Sequence, residues 1–426
     1  MKSDIVTGVR GPRGYASAGK VVITEGSPRV QLLEPTFQAY AWGSTTAIPD
    51  LLGLQVTDEP VAEAWFGAHP SASSVLVGDT PVPLVDALAD DGDAQLGHVV
   101  VSRFGSRLPF LLKVIAAERP LSLQVHPSLE LAADGWEREE ARGVARDDPR
   151  RSYRDRNHKP ELVFALSPFE ALVGFRAPRR AAELLRDLDH PLAQLLHKIV
   201  TTDPTSAGMR EAFTLLVEET TRPTPDEVAG FADVVRERLR TGSPSPRTDS
   251  AVDLLERFAP GDAGAVAAVL LNPVSLRPGE ALFVPAGAVH AYLHGTAVEI
   301  MANSDNVLRA GLTTKHVDVP ELLRAVDCVA APPIRIAPEH AYDASDVYYA
   351  PVDDFELSVT AVGTRAATCR LPGGGPRVLL CLDGQVELHG RTGDLALAAG
   401  QAAFVPASDG ALTASGHGRL VQAAVP

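Results

Sequence analysis

Four side chains in three short stretches have the types and the spacing of a metal-binding site. The stretch LSLQVHP carries Gln124 and His126 two residues apart, so both side chains lie on one face of a strand. Glu161 precedes the apolar run LVFAL, and His290 ends the stretch GEALFVPAGAVH. Two neutral imidazoles, an amide and one carboxylate leave a divalent cation with a net charge of about +1. Such a cation stays a Lewis acid, and the lack of thiolates argues against a purely structural site.

Short β-strands must position these ligands. Ser122 joins Gln124 and His126 on one face of its strand, while the apolar residues between them occupy the other face. Residues 279–290 are similar to the second sequence motif of the cupin superfamily, G-x5-P-x-G-x2-H. Its glycines and proline predict tight turns around a short strand, from which the histidine points into a barrel. The motif usually has Asn four residues after the histidine, where this chain has His294.

An internal repeat predicts a second, related β-unit. The stretches GEALFVPAGAVH at 279–290 and GQAAFVPASDGA at 400–411 each place a proline, Pro285 or Pro406, six residues after a glycine. The second copy has Ala411 where the first has His290. We therefore expect two related units, of which only the first binds a metal.

Helical periodicity interrupts the β pattern in the middle of the chain. Leucines recur at helical spacing from residue 184 onward, with a break at Pro191, and TRPTPDE and TGSPSPRTDS supply N-cap residues between such segments. The charged segment at 137–156 reads as a loop with a helical turn. The predicted fold class is mainly β with a helical insert: two cupin (jelly-roll β-barrel) units plus an α-helical domain. The predicted domains are an N-terminal extension at 1–28, a discontinuous catalytic cupin at 29–177 and 266–334, the insert at 178–265, and a degenerate C-terminal cupin at 335–426.

Composition limits the partners and the compartment. The net charge of −15 disfavours nucleic acid and acidic membrane surfaces as partners. The N-terminus lacks the apolar segment of a signal peptide, and no apolar run approaches the roughly 18 residues of a membrane span. Three cysteines without a CxxC spacing indicate a reducing compartment. We therefore predict a cytoplasmic protein.

Several stretches together resemble the class I mannose-6-phosphate isomerase family. They cover most of residues 36–323, and NHKPE with SDNVLRAGLT is highly specific. The other stretches are AYAWGS, EAWFGAHPSA, LPFLLKVIAAERPLSLQVHP and FVPAGAVHAYLHGTAVEIMAN. The chain departs from the family in its N-terminal extension, in the arginine-rich loop at 137–156 and at His294.

The resemblance implies a zinc-dependent enzyme with one Zn²⁺ per chain that interconverts mannose 6-phosphate and fructose 6-phosphate. It implies that this reaction feeds mannose metabolism and the supply of GDP-mannose, and we expect a monomer. It also identifies Arg309 with the essential arginine of the family. The implied zinc ligands are those chosen from the residues alone: Gln124, His126, Glu161 and His290.

The isomerisation moves a proton between two sugar carbons through an enediol, which requires an acid/base group. The residues leave that group open among Lys159, Glu299 and a zinc-bound water or hydroxide. A guanidinium at Arg309 suits either an enediolate or a phosphate. The candidates for phosphate or hydroxyl contacts and for pocket-lining positions are Lys113, Ser122, Lys315, Tyr292 and Asp305.

Two other classes of cupin compete with this interpretation. A metal-dependent dioxygenase would use an open, histidine-rich iron site and would show oxygen-dependent turnover. A non-catalytic sugar-binding cupin would bind its ligand without turnover. We expect no fusion to a guanylyltransferase, because the sequence shows no glycine-rich nucleotidyltransferase start.

Overall fold

A computed structural model of the chain describes residues 29–342 and 344–426. The predicted extension at 1–28 lies outside the described residues. The strands, in chain order, are β1 (Gln31–Glu34), β2 (Thr36–Gln38), β3 (Glu63–Phe66), β4 (Val75–Leu76), β5 (Val82–Pro83), β6 (Phe110–Ala117), β7 (Leu123–Val125), β8 (Glu161–Ala165), β9 (Phe169–Phe175), β10 (Leu271–Leu276), β11 (Ala281–Val284), β12 (His290–Ala302), β13 (Leu308–Gly311), β14 (Ile334–Ile336), β15 (Glu339–Ala341), β16 (Ser345–Tyr349), β17 (Glu356–Val362), β18 (Thr368–Arg370), β19 (Arg377–Gly390), β20 (Gly393–Ala398), β21 (Ala402–Val405) and β22 (Thr413–Ala424).

Helices lie between these strands along the chain. The α-helices are α1 (Ala47–Leu52), α2 (Leu84–Asp90), α3 (Gly92–Leu96), α4 (His98–Phe104), α5 (Leu129–Ala141), α6 (Pro178–Arg186), α7 (Pro191–Thr202), α8 (Ser206–Val217), α9 (Pro225–Thr241), α10 (Pro246–Phe258), α11 (Gly264–Ala267) and α12 (Val319–Ala325). Short 3-10 turns lie at Ala268–Leu270 and Ala407–Asp409. Among the residues described, no helix is both long enough and apolar enough to cross a membrane.

Helix and strand occupy nearly equal shares of the chain, 30% and 31%, so the prediction of a mainly β chain underestimates the helical content. The clearest example is α5, which includes the start of the charged segment, for which the sequence predicts a loop with only a helical turn. Its buried positions are Ala132, Gly135 and Glu139, which have helical spacing but are small or charged. The sequence therefore has no apolar stripe here that would predict the helix.

The chain divides into two compact units. One contains the described residues up to Ala116 together with Val298–Asn303 and Ile336–Pro426. The other contains Ala117–Ala297 and Ser304–Arg335. The predicted domain boundaries divide the chain at other positions and stay a prediction.

The first unit is built around an 11-stranded sheet. Its strand order is β15-β16-β17-β22-β19-β21-β1-β4-β5, with β18 paired to β22 and β20 paired to β19. The strand pairings named here are all antiparallel. Separately, β3 pairs with both β2 and β6 in the same unit.

In the second unit, β7 lies between β12 and β13 in antiparallel pairing. Leu123 and Val125 of β7 are completely buried in a core cluster that also contains apolar residues of the helices α6–α10. Because side chains alternate along a strand, Gln124 faces the opposite side. This agrees with the predicted alternation and leaves the polar face of β7 for the site. In the same unit, β8 pairs with β11, and β9 pairs with β10.

Local signals explain where the central helices begin. Pro191, which breaks the predicted leucine stripe, is the first residue of α7 rather than an interior kink. Thr224 and Glu227 form a capping box at α9, in which the Thr224 side chain accepts the Glu227 N–H at 3.3 Å. Ser245 precedes α10 but makes no side-chain cap with its backbone.

Candidate metal centre

Three predicted ligands converge in the second unit. The Nε2 atom of His126 lies 3.0 Å from Oε1 of Glu161, and Nε2 of His290 lies 3.6 Å from Oε2 of the same carboxylate. The two imidazole ring centroids are 4.9 Å apart. All three side chains are buried, and their ligand atoms lie within 4.8 Å of one another. The group could therefore hold one metal ion.

Backbone carbonyls fix the tautomer of both imidazoles. Nδ1 of His126 is 2.8 Å from the carbonyl oxygen of Asn306, and Nδ1 of His290 is 3.0 Å from that of Ala288. A carbonyl oxygen only accepts hydrogen bonds, so each Nδ1 carries a proton and donates it. In a neutral ring, each Nε2 then presents a lone pair to the Glu161 carboxylate. This orientation is the one that histidine ligands of metals usually have.

Both rings are neutral near pH 7. Burial, with a smaller contribution from the positive charge of Lys159, lowers the pKa of His126 from 6.5 to about 4. Burial also lowers the pKa of His290. The 3.0 Å contact between His126 and Glu161 is therefore not an ion pair with a protonated imidazole, although its distance would allow one.

The donor set fits Zn²⁺. Nε2 of His126 is buried and has no hydrogen-bond partner, yet it faces a carboxylate oxygen at 3.0 Å. Two acceptors at that distance repel each other unless a cation lies between them. Imidazole nitrogens and a carboxylate oxygen are ligands that Zn²⁺ takes in proteins. The residues present therefore fit the ion that the sequence predicts.

Glu161 is held in its ionised form. Burial by itself would raise the pKa of Glu161, but the nearby positive charge of Lys159 acts in the opposite direction, and the pKa lies well below its usual value. Nζ of Lys159 is 3.5 Å from Oε1, and the Tyr292 hydroxyl donates to Oε2 at 2.7 Å. Glu161 is the first residue of the fully buried strand β8, where it pairs with Val284. Its position at the strand start thus brings a carboxylate to both histidines.

The strand register aligns two further predicted residues. Gln124 is opposite His290 on β12 and opposite Arg309 on β13. Directly opposed residues share a face of the sheet, so all three side chains leave the sheet on one side. Nε2 of Gln124 donates to Oγ of Ser122 at 3.2 Å, which leaves the amide oxygen of Gln124 available as a ligand atom. The ligand role of Gln124 stays a prediction.

Comparisons with known proteins agree with this geometry. Residues 30–178 match the family model described as phosphomannose isomerase type I, catalytic domain. The chain is 37% identical over 398 residues to mannose-6-phosphate isomerase of Escherichia coli (strain K12), covering 92% of this chain and 99% of the relative. The chain belongs to the type I phosphomannose isomerase family.

Solved structures of phosphomannose isomerases have the same fold. A crystal structure of a phosphomannose isomerase mutant from Salmonella typhimurium matches with a TM-score of 0.84 and 36% identity, covering 93% of this chain and 100% of that chain. A second structure, described as zinc-bound holo mannose 6-phosphate isomerase, matches with the same TM-score, identity and coverage.

The motif glycine of this phosphomannose isomerase family member has a direct contact with a predicted ligand residue. Gly287 has φ of +84°, and its N–H donates to the carbonyl oxygen of His126 at 2.8 Å. A Cβ atom at this position would lie 3.2 Å from Cβ of Asp327 and 3.3 Å from the carbonyl oxygen of Ala325. Both the backbone conformation and the close packing therefore favour glycine. The predicted turn at 285–287 thus holds the backbone of His126.

The structure places two other predicted residues together in the first unit. Nζ of Lys113 lies 3.3 Å from Oε2 of Glu299 and 3.7 Å from Oε2 of Glu63, and it lies 4.9 Å from the ring centroid of Trp65. All four side chains are buried. Burying a lysine together with two carboxylates costs free energy of folding, which a functional or structural role would justify. Lys113 therefore stays a candidate for a substrate contact, and Glu299 stays a candidate for the acid/base group.

The remaining predicted residues differ in how close they lie to the metal centre and in their exposure to solvent. Lys159 precedes β8 rather than belonging to it, but its side chain still reaches Glu161. The backbone N–H of Asp305 donates to the Asp155 carboxylate at 2.8 Å, which fixes its loop. Lys315 is exposed, as is His294, the residue at the atypical motif position. The substrate-contact roles of Lys315 and Asp305 stay predictions.

Sequence reasoning did not single out Asn306 or Asp155. Asn306 supplies the carbonyl that fixes His126, and Asp155 accepts hydrogen bonds from the loop that contains Asn306. Both residues lie within or beside the two most specific stretches, NHKPE and SDNVLRAGLT. Their place in or beside these stretches was the signal that could have identified them. A buried asparagine that is not a metal ligand has no characteristic sequence spacing, so its role could not be predicted from the residues around it.

Proposed function

We propose that this chain is a zinc-dependent aldose–ketose isomerase that interconverts mannose 6-phosphate and fructose 6-phosphate through an enediol. We propose that the reaction feeds mannose metabolism and the supply of GDP-mannose. One observation carries the proposal: the Nε2 lone pair of a neutral, buried His126 faces the ionised Glu161 at 3.0 Å. The membership in the phosphomannose isomerase family adds the substrate and the reaction.

His126, Glu161 and His290 would hold the zinc ion, with Gln124 as the fourth ligand. When bound, zinc supplies a Lewis acid that favours the negative charge developing on the sugar oxygens. The Tyr292 hydroxyl and Lys159 Nζ both contact the Glu161 carboxylate, and so they orient this ligand. This support from other side chains is typical of metal centres whose ligands must keep a fixed geometry.

Lys159 is the side chain that we propose for the acid/base role: in its neutral amine form Nζ would take the proton from one sugar carbon, and as the ammonium it would return the proton to the other carbon. The residue is buried, with 8% of its surface exposed, and its Nζ atom lies 3.5 Å from a ligand oxygen of Glu161. Glu299 stays the alternative among the predicted residues, and Lys113 lies 3.3 Å from its carboxylate. Arg309 leaves the sheet on the side of Gln124 and would bind either the enediolate or the phosphate.

The proposed architecture is two cupin barrels and a helical insert with the boundaries predicted above. The two copies of the internal repeat support it. Gly279 and Gly400 have φ values of +90° and +84°, and each precedes a four-residue, fully buried strand, β11 or β21. The same backbone turn therefore introduces the same kind of strand twice. Three unpaired cysteines support a reducing compartment such as the cytoplasm.

A coupled assay tests the proposed function. With mannose 6-phosphate as substrate, we expect turnover to fructose 6-phosphate that a chelator abolishes and added Zn²⁺ restores, because the ligands hold the required Lewis acid. Fructose 6-phosphate formation would be followed through a linked dehydrogenase, with chelator added to the linked enzymes alone as the control. Stoichiometric iron with oxygen-dependent turnover, or sugar binding without turnover, would contradict the proposal.

We expect one tightly bound zinc ion per chain. A second group, Glu387, His389 and Asp394, has three ligand atoms within 4.8 Å, but it is exposed or half-buried on β19 and β20. Nδ1 of His389 lies 3.1 Å from Oδ1 of Asp394, and its Nε2 lies 2.7 Å from Oγ of Ser415. Both ring nitrogens therefore already have a polar partner within the protein. Metal analysis of the desalted protein checks the number. A second equivalent of zinc that persists in His389→Ala would contradict one site per chain.

A further inference from the structure

The residue whose carbonyl fixes His126 is itself fixed by both ends of its side-chain amide. Asn306 is completely buried. Its Oδ1 accepts the backbone N–H of Arg154 at 2.7 Å and that of Asp155 at 3.2 Å. Its Nδ2 donates to the carbonyl oxygens of Asp155 at 2.9 Å and Asn157 at 2.8 Å. The acceptor and both donor hydrogens of the amide are therefore used.

The Asp155 carboxylate completes the connection. It accepts the hydroxyl of Ser304 at 2.9 Å, the N–H of Asp305 at 2.8 Å and the N–H of Asn157 at 2.8 Å. Nδ2 of Asn306 also lies 3.2 Å from its Oδ1. Each donor comes from one of two loops, so the carboxylate and the amide together join these loops by buried hydrogen bonds. Such a network is rigid when every member has its partner.

The two joined loops lead directly to site residues. The loop that contains Asn157 continues into Glu161, and the loop that contains Asn306 continues into β13 with Arg309. The carbonyl of Asn306 accepts the Nδ1 proton of His126, which is 180 residues away in the sequence. One buried amide thus determines how three site residues from distant parts of the chain are placed.

We propose that Asn306 is a positioning residue of the metal centre, which holds the His126 ring with its Nε2 lone pair toward the metal and joins the loops of Glu161 and Arg309. This inference rests on the proposed zinc centre. A ligand imidazole needs an acceptor for its other N–H, and loss of such partners costs about 10–100-fold in metal affinity. If Asn306 loses its side chain, the carbonyl is no longer fixed and the ring can rotate.

Titration of the apoprotein with Co²⁺ tests the proposal. Co²⁺ replaces Zn²⁺ as a probe because its visible absorption reports ligand geometry. For Asn306→Ala, we expect a Co²⁺ dissociation constant about 10–100-fold above that of the wild type and an altered visible spectrum. Asn272→Ala is the matched control, because Nδ2 of Asn272 also donates to backbone carbonyls, those of Val173, Gly174 and Ala331. This control should keep the wild-type constant and spectrum.

Asp155→Asn provides a second variant that keeps the side-chain volume. The amide of the new side chain would place a donor against the N–H of Asp305 or the hydroxyl of Ser304. We therefore expect a raised Co²⁺ dissociation constant and an altered spectrum here as well. This variant tests the proposal if Asn306→Ala does not fold. A wild-type Co²⁺ constant and spectrum in a folded Asn306→Ala or Asp155→Asn protein would overturn the proposal. Failure of the wild type itself to bind Co²⁺ would instead overturn the zinc centre, a result distinct from a loss confined to these variants.

Discussion

Purified Glu161→Gln protein should contain almost no zinc, with affinity lowered by more than about 100-fold. Glu161 is the only anionic ligand of the predicted set, and it contacts both histidines. A glutamine amide would also donate a hydrogen bond to Nε2 of His126, which satisfies the lone pair without a metal. Metal analysis after dialysis against a Zn²⁺ buffer measures the effect, and enzymatic turnover should fall with the metal content.

The fold of Glu161→Gln should survive, since the core of each unit is built from apolar residues that do not include Glu161. Circular dichroism and thermal unfolding check this point. Glu170→Gln is the matched control, because Glu170 lies on β9 of the same unit and accepts the Ser275 hydroxyl at 2.7 Å. The control should keep its zinc. Full zinc occupancy in Glu161→Gln would refute the assignment of this carboxylate as a ligand.

Arg309→Ala should keep its zinc and lose about 100-fold or more in kcat. Arg309 leaves the sheet on the same side as Gln124 and His290, but it offers no ligand atom to a cation. A planar guanidinium makes charge-assisted hydrogen bonds that strengthen as an enediolate develops, so its loss acts on the transition state. Lysine should be a poor replacement because it lacks the planar arrangement of donors.

Steady-state kinetics of the zinc-loaded variant decides the role of Arg309. An unchanged kcat with a raised KM would make Arg309 a phosphate anchor, because only uniform binding would have been lost. No change in either constant would remove Arg309 from the site. Arg277→Ala is a suitable control, since Arg277 is an exposed arginine of the same unit that pairs with Glu280 at 2.8 Å. Its kinetic constants should equal those of the wild type.

Several features of the site followed from the sequence, because they depend on near neighbours in the chain. The alternation of polar and apolar residues around Gln124 and His126 predicted the two faces of β7, and Leu123 and Val125 are buried on the opposite face. The spacing of glycine and proline predicted the turn before His290, and Gly287 has a positive φ there. Two-residue periodicity and turn conformation are local properties of the backbone, so a single sequence contains them.

Helix α5 shows where the prediction of helices from local sequence patterns fails. The buried face of α5 contains Gly135, where a Cβ atom would lie 2.3 Å from the Tyr153 ring. Glu139 on the same face accepts the N–H groups of Ser152 and Tyr153, both at 2.9 Å. This helix is therefore held by close packing and by hydrogen bonds to a later loop. Neither produces the apolar stripe on which helix prediction relies.

By itself, the sequence determined which side chains could bind a metal and which family the chain resembles. Only the tertiary structure decided how those side chains are oriented. The tautomer of His126 depends on the carbonyl of Asn306, which lies 180 residues away, and the face of Arg309 depends on its register with Gln124. Strand register, burial and buried hydrogen bonds arise when distant segments of the chain pack together. The orientation that they give to His126 and Glu161 therefore exists only in the folded chain.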